Sequence, residues 1–391
     1  MKLALIGVGQ AGGKIVDTFL SHDQQTDGPD IIEHACTINT ARSDHAGLST
    51  IPEDMQLLIG QTEVGGHGVG GDNELGAQIA ERELGEIHAL LNHISVHRVD
   101  AFLLVTGLGG GTGSGAAPVI AAHLQELYGE PVYGLGILPA ADEGGIYTLN
   151  AARALPTLVE RVDNLLLFDN DAWRNTGESV DSGYDSMNAE LVRQIDLIFR
   201  AGEVEEGQRV AESVVDTSEI INTLAGGGIS TVGYAEDTSV QSAASGSRGL
   251  LARFRGSSEL DEDSATTVNR ITSLLRRATL GRLTVEAEVE SAERGLVVVA
   301  GPPEYLNRKG IERGRSWLEE QTGSMHIRGG DFPWSENRVA ISVLLSGVTD
   351  IPRIDALRSQ AIEAQDALER VRANHDETIR SLEVDELDSL L

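Results

Sequence analysis

The run Gly109-Gly-Gly-Thr-Gly-Ser-Gly115 can do chemistry without a reactive side chain. It lies between an apolar stretch, Ala101-Phe-Leu-Leu-Val105, and a pattern that predicts a helix from Gly115 to Tyr128. Glycines let backbone amides approach an anion closely and adopt positive φ. A helix N-terminus adds unpaired N–H groups and the positive end of a dipole. Together they suit a polyphosphate. A P-loop needs Lys-Ser/Thr after its last glycine, and Ala116-Ala117 stand there. A nucleophile elbow needs Gly two residues before the Ser, and Thr112 holds that place relative to Ser114. The plain alternative is a flexible turn between strand and helix.

Two further glycine loops decide against that alternative. Gly7-Val-Gly-Gln-Ala-Gly12-Gly13-Lys14 contains Gly-x-Gly-x-x-Gly, which on its own most often marks a dinucleotide fold. That fold wants Asp or Glu at the end of the second strand. Here the second strand ends Thr37-Ile-Asn39-Thr-Ala, without an acid, which disfavours an NAD-dependent oxidoreductase. The third loop is Gly65-Gly-His-Gly-Val-Gly-Gly-Asp72. Three glycine loops at three strand ends exceed what a dinucleotide needs and suit a triphosphate. Lys14 alone supplies little countercharge, so Mg²⁺ is expected, with Asp72 reaching it directly or through water. His93 and His97 are four apart with no third ligand near and read as solvated.

The elements that carry these loops alternate. Strands are predicted at Lys2–Gly7, Ile31–Ile38, Leu57–Gly60, Asp100–Thr106, Pro131–Leu138 and Asn164–Phe168. Helices are predicted at Gly12–Leu20, Asn73–Leu91, Gly115–Tyr128, Ile146–Val162 and Tyr184–Arg200. Such alternation implies an α/β fold with a doubly wound, mostly parallel sheet, whose ligands bind at the carboxyl ends of the strands. Gly226–Ser258, rich in Gly, Ser, Thr and Ala, reads as a loop. After Asp263 the pattern implies a smaller α+β unit. Its strands are Leu283–Val289, Gly295–Ala300 and Arg338–Leu345, and its helix is Glu304–Gln321. From Ile354 the chain reads as helical and acidic, to Leu382–Leu391.

Composition narrows the partners. The chain has 391 residues, 30 Lys and Arg against 61 Asp and Glu, and a formal net charge of −31. Its only lysines are Lys2, Lys14 and Lys309. Such a surface argues against nucleic acid and against anionic membrane. Salt must screen the self-repulsion of so acidic a chain, which points to a cytoplasm rich in salt. Cys36 is the sole cysteine, so no disulfide forms within the chain. No apolar run reaches the ~18 residues of a membrane span, and a cytoplasmic location is expected.

The glycine loops and one further motif carry a resemblance. Gly9-Gln-Ala-Gly12, Gly109-Gly-Gly-Thr-Gly-Ser-Gly115 and Phe168-Asp-Asn-Asp-Ala172 resemble the tubulin/FtsZ superfamily. Gly9-Gln-Ala-Gly12 and Asp169-Asn170 lean toward tubulin, while Ala116-Ala117-Pro118 is FtsZ-like. The mixture, with the acidic composition, is most similar to the CetZ group of halophilic archaea. The resemblance spans roughly residues 1–350 and is strongest over 1–225. It implies a GTP-binding domain at 1–182, a central helix at 183–203, a catalytic-loop and α+β domain at 204–350 and an acidic helical tail at 351–391. It assigns the phosphates of GTP or GDP to Gln10, Ala11, Gly12, Gly13 and Lys14 and to Gly109, Gly110, Gly111, Thr112 and Gly113. Gln10 and Asp72 stand near the metal. Glu143 matches the acid that holds the ribose hydroxyls. Asn170 and Asn188 match the amides that read guanine, and Tyr184 the ring that stacks on it. An Asn amide both donates and accepts, as the guanine edge requires.

Val214-Val-Asp216-Thr-Ser-Glu219-Ile-Ile resembles the loop that enters the nucleotide site of the next subunit. Asp216 and Glu219 then match the acids that orient the attacking water. Where FtsZ has Asn and a second Asp, this chain has Val214 and Glu219. Two acids capping a helix that begins near Thr217 are the alternative reading. The resemblance implies a head-to-tail homopolymer that hydrolyses GTP and controls cell shape. An FtsZ-like division role and a nucleotide-binding scaffold without hydrolysis are the alternatives. The acidic end, Asp376–Leu391, is a docking tail or a solvated helix.

The charge makes one prediction at this level. The melting temperature should rise as potassium chloride goes from dilute to molar, followed by circular dichroism; a flat profile would remove the argument from self-repulsion.

Overall fold

The computed structural model describes residues 1–174, 180–203, 215–238 and 258–383. A single sheet of ten strands runs through it, in the order β3-β2-β1-β4-β5-β6-β7-β10-β8-β9. The strands are β1 (Leu3–Val8), β2 (Ile32–Asn39), β3 (Gln56–Leu58), β4 (Ala101–Gly107), β5 (Val132–Leu138), β6 (Asn164–Asp169), β7 (Ile229–Asp237), β8 (Arg294–Gly301), β9 (Ile327–Pro333) and β10 (Val339–Val348). From β3 to β7 all neighbours are parallel. β10 is antiparallel to both β7 and β8, and β9 is parallel to β8.

Helices cover both faces, so the inner strands are apolar on both sides. In β1, Ala4, Ile6 and Val8 pack into one core while Leu3 and Leu5 pack into the other. The second core is closed by α1 (Gly9–Gln25), α6 (Val180–Arg200) and α7 (Thr217–Leu224), through Ile15, Val16, Phe19, Leu191, Ile195 and Ile220. The first is closed by α2 (Asn73–Arg82), α3 (Leu84–Leu91), α4 (Gly111–Leu127), α5 (Gly145–Val159), α8 (Ser258–Leu280), α9 (Arg308–Thr322) and α10 (Pro352–Glu383). Among the described residues no helix is long and apolar enough to cross a membrane.

The parallel and mixed parts of the sheet meet at β6 and β7, which pair only through Leu165 with Ile229 and Leu166 with Ser230. Asn164 fastens this seam and is fully buried. Its Nδ2 lies 3.0 Å from both the Gly227 carbonyl and Ser346 Oγ, and its Oδ1 accepts from Ser230 Oγ at 2.6 Å. A buried polar group left without its partner costs about 1–3 kcal/mol. One amide therefore links three strands where the ladder is shortest.

Several elements differ from the sequence expectation. The helix expected over Asn73–Leu91 is interrupted at Glu83, whose Oε1 instead accepts the Gly60 N–H at 2.9 Å. The stretch read as a loop holds β7. Its small residues are there because α8 crosses closely: a Cβ on Gly233 would stand 1.9 Å from the Ala278 carbonyl oxygen. Leu283–Val289 is not a strand. The segment touches the β7 edge left open beyond the short β6 pairing as an isolated antiparallel bridge of Leu283 with Gly233, the Thr284 N–H donating to the Val232 carbonyl at 2.8 Å and the Thr284 hydroxyl accepting the Val232 N–H at 3.0 Å. β9 carries Gly329 and Gly330, which disguise it as a turn; a Cβ on Gly329 would meet the Val297 carbonyl of β8 at 3.2 Å. The chain end after Glu383 lies outside the described residues.

Candidate functional site

Three helix N-termini gather at the carboxyl edge of the parallel strands. α1 starts at Gly9, directly after β1; α4 starts at Gly111, after β4; α5 starts at Gly145, after β5. None of the three has a side-chain cap. Their first N–H groups are therefore free for an anion. The loops come so close that only glycine fits. Gly9 has φ +72°, and a Cβ there would lie 2.9 Å from Gly113 N. A Cβ on Gly12 would lie 2.2 Å from the Val105 carbonyl oxygen, and one on Gly111 2.8 Å from Asp72 N. Gly110 differs: nothing lies within 4 Å of its Cβ position, so it faces the open mouth of the cradle.

The third glycine loop closes one side. Gly65, Gly66, Gly68, Gly70 and Gly71 all have positive φ. Asp72 then caps α2, its Oδ1 accepting the Leu75 N–H at 2.9 Å. Thr112 on α4 meets the Thr40 hydroxyl at 2.7 Å. Asn150 ties two of the loops together, donating to the carbonyls of Gly71 (2.7 Å) and Gly109 (3.0 Å). The sequence reading missed this residue. Its one signal was an amide between Leu149 and Ala151 in an apolar helix. Asn39, at the end of β2, spends its Oδ1 on the N–H groups of Thr40 and Ala41, at 2.8 and 3.2 Å. That is turn chemistry and not a ribose ligand.

The opposite wall brings Glu143 and Tyr184 together. The Tyr184 hydroxyl donates to Glu143 Oε1 at 3.1 Å, and the same oxygen accepts the Ala140 N–H at 2.8 Å. Burial, and then the Glu143 charge, push the Tyr184 phenol up to about 12. Asn188 lies one turn further along α6, and Asn170 opens the short helix Asn170–Trp173; both are half-buried. Lys14 is half-buried in α1 and makes no ion pair among the described residues. Gln10 and Asp72 are exposed at the rim. Among the described residues no group of three His, Cys, Asp or Glu side chains forms a metal cage. This donor set fits Mg²⁺, a hard cation that takes a few protein oxygens and draws its other ligands from phosphate and water. His93 and His97 are exposed and share no helix.

Asp216 and Glu219 stand far from this cradle. The Cβ position of Gly202 lies 3.2 Å from both Met1 N and Thr217 N, which places the start of α7 beside the amino end of β1. The glycine loop follows the carboxyl end of the same strand. β1 has six residues, so the two regions are separated by roughly 20 Å along it. Asp216 is the N-cap of α7, its Oδ1 accepting the Glu219 N–H at 2.8 Å. Glu219 is half-buried, with Arg328 Nη1 3.9 Å from its Oε1. Burial, and then Asp216, hold its carboxyl above the usual glutamate range. Val214 lies outside the described residues.

Comparison with known proteins places the fold in a family. Residues 2–178 match the GTPase domain of the Tubulin/FtsZ family, and residues 177–363 match the C-terminal domain of tubulin-like CetZ. The chain is 61% identical to the tubulin-like protein CetZ1 of Haloferax volcanii over 375 residues, covering 95% of this chain and 94% of that one. The GDP-bound monomer of CetZ1 superimposes with a TM-score of 0.81 at 56% identity, over 93% of this chain and all of the other. The GTPγS-bound protofilament of CetZ2 from the same organism also gives 0.81, at 42% identity, over 94% of this chain and all of the other. The chain belongs to the CetZ family of tubulin-like proteins.

Proposed function

We propose that this protein binds GTP with Mg²⁺ in the glycine cradle and assembles head to tail. Asp216 and Glu219 of one subunit complete the active site of the next. The observation that carries this reading is the placement of the acids. They sit at the opposite end of the strands from the cradle, about 20 Å from it along β1. Within one subunit they cannot touch a γ-phosphate bound there. Stacking subunits along the strand direction brings one end onto the other. A contact of that kind, which does not close a ring, yields filaments. The solved relatives bound to GDP and, as a protofilament, to GTPγS support the nucleotide and the assembly.

In this reading the N-termini of α1 and α4 hold the phosphates. Lys14 offsets their charge, Glu143 takes the ribose hydroxyls, and Asn170 and Asn188 read the base beside Tyr184. Phosphoryl transfer to water needs positioning more than covalent help. Glu219 is suited to orient that water, and its raised pKa makes it a better proton acceptor than an ordinary glutamate. The cellular role that follows from the family is control of cell shape.

Asn188→Ala should weaken GTP binding about tenfold, since lost hydrogen bonds in a desolvated pocket cost ~1–3 kcal/mol; unchanged binding, or equal binding of ATP and GTP by the parent, overturns the base assignment. Deleting the gene should alter cell outline while division continues, whereas filamentous, undivided cells would favour the division role.

Glu219→Ala should bind GTP normally, hydrolyse it slowly and keep its filaments longer. The parent's turnover per subunit should rise with protein concentration. Mixing Glu219→Ala with Gly110→Trp, which blocks the open mouth, should restore part of the hydrolysis, because each variant supplies what the other lacks. Parent-like activity of Glu219→Ala, or turnover independent of concentration, would sink the shared site.

A further inference from the structure

The C-terminal helix α10 reaches the wall opposite the phosphate cradle. Arg353, in its first turn, donates from Nε to Asp169 Oδ1 at 3.1 Å and from Nη2 to the Pro139 carbonyl at 2.8 Å. Asp169 closes β6 and is 4% exposed. Its N–H donates to the Thr284 carbonyl at 2.8 Å, and its Oδ1 also accepts the Asp171 N–H at 3.2 Å. Pro139 directly follows β5. One guanidinium thus ties the ends of two adjacent strands. Residue 170, next after Asp169, is the asparagine assigned to the base, and the loop after Pro139 carries Glu143. Further along α10, Ala364 abuts the first turn of α5, where a Cβ on Gly145 would stand 3.1 Å from Ala364 Cβ. The segment 139–145 is held by α10 at both ends.

We infer that Arg353 is a positioning residue for the nucleoside half of the ligand, holding Asn170 and Glu143 in place through Asp169 and the Pro139 carbonyl. This rests on the nucleotide reading above. The planar fork of arginine serves two acceptors on different strands at once, which the single ammonium of lysine does not. Burial raises the Asp169 carboxyl and Arg353 draws it back, so without the guanidinium a buried carboxylate loses its ion-pair partner. Among the described residues neither Arg353 nor Asp169 forms a hydrogen bond or ion pair with α1 or α4, and the cradle meets the segment they hold by packing, the Cβ position of Gly109 lying 3.1 Å from Pro139 Cβ, so the two halves of the pocket can be tested apart.

The test titrates the full chain, in molar potassium chloride, with GDP and separately with inorganic pyrophosphate. Arg353→Met keeps the aliphatic stem and removes the fork. GDP affinity should fall about tenfold while pyrophosphate affinity stays within about twofold. Arg353→Lys should recover only part of the GDP loss. In Asp169→Asn/Arg353→Met the unpaired charge is gone and an acceptor for Asp171 N–H remains. Its melting temperature should return toward the parent's while the GDP loss persists. Unchanged GDP binding in Arg353→Met, equal loss of both ligands, or full return of GDP binding in the double variant overturns the positioning role. A parent that binds pyrophosphate as tightly as GDP overturns the nucleotide reading itself, and is a separate result.

Discussion

Backbone must meet backbone at the carboxyl edge of this sheet, and the rest of the site depends on that contact. Gly12 presses on the Val105 carbonyl, Gly9 on Gly113 N, and Gly111 on Asp72 N. Any side chain at these positions would push α1, α4 and the third loop apart. Because none is present, two helix N-termini open side by side with no capping side chain between them. The first N–H groups of a helix have no intrahelical partner, and two such ends side by side suit an anion. Asn150 then fixes the loops relative to one another through two carbonyls.

This constraint explains why the first half of the molecule was legible in the sequence. Close approach leaves glycine as its mark, and parallel strands buried on both faces leave continuous apolar runs such as Ala101–Val105. The cradle and the parallel strands around it follow from those two signals. The second half hides its strands for a related reason. Gly233 in β7 and Gly329 in β9 also mark close contacts, one with α8 and one with β8. Gly233 sits in a Gly-, Ser- and Thr-rich stretch that reads as a loop, and the Gly329-Gly330 pair interrupts the apolar pattern of β9, so neither strand stands out in the sequence. The residues that position the site were the least visible. Asn150, Asn164 and Arg353 act through main-chain carbonyls and side chains distant in sequence, and no local spacing announces such partners.

Charge shows a similar division. The surface carries most of the imbalance, but several acids are spent inside on particular tasks. Asp23 accepts the N–H groups of Ile31 and Ile32, both at 3.1 Å, and pairs with Arg200 at 2.6 Å. Arg200 also pairs with Asp196 at 2.7 Å and is only 3% exposed. A buried pair of this kind adds little net stability, but breaking it is costly because it strands a charge. Its value here is register: it locks the end of α6 to the end of α1 and the start of β2.

That register matters because α6 spans the molecule. Its 21 residues extend about 32 Å. Tyr184 and Asn188, proposed above for the nucleoside, lie near one end, and Phe199 and Arg200 at the other lie beside the Met1 amino group and the start of α7. The distance between the cradle and the two acids is therefore set by a rigid helix packed on a rigid sheet, not by a loop. In a filament, a fixed distance within each subunit becomes a fixed repeat, and the geometry at every junction is decided before subunits meet. In the proposed shared site this stiffness matters, since a water oriented across a junction would be placed only as well as both subunits are stiff.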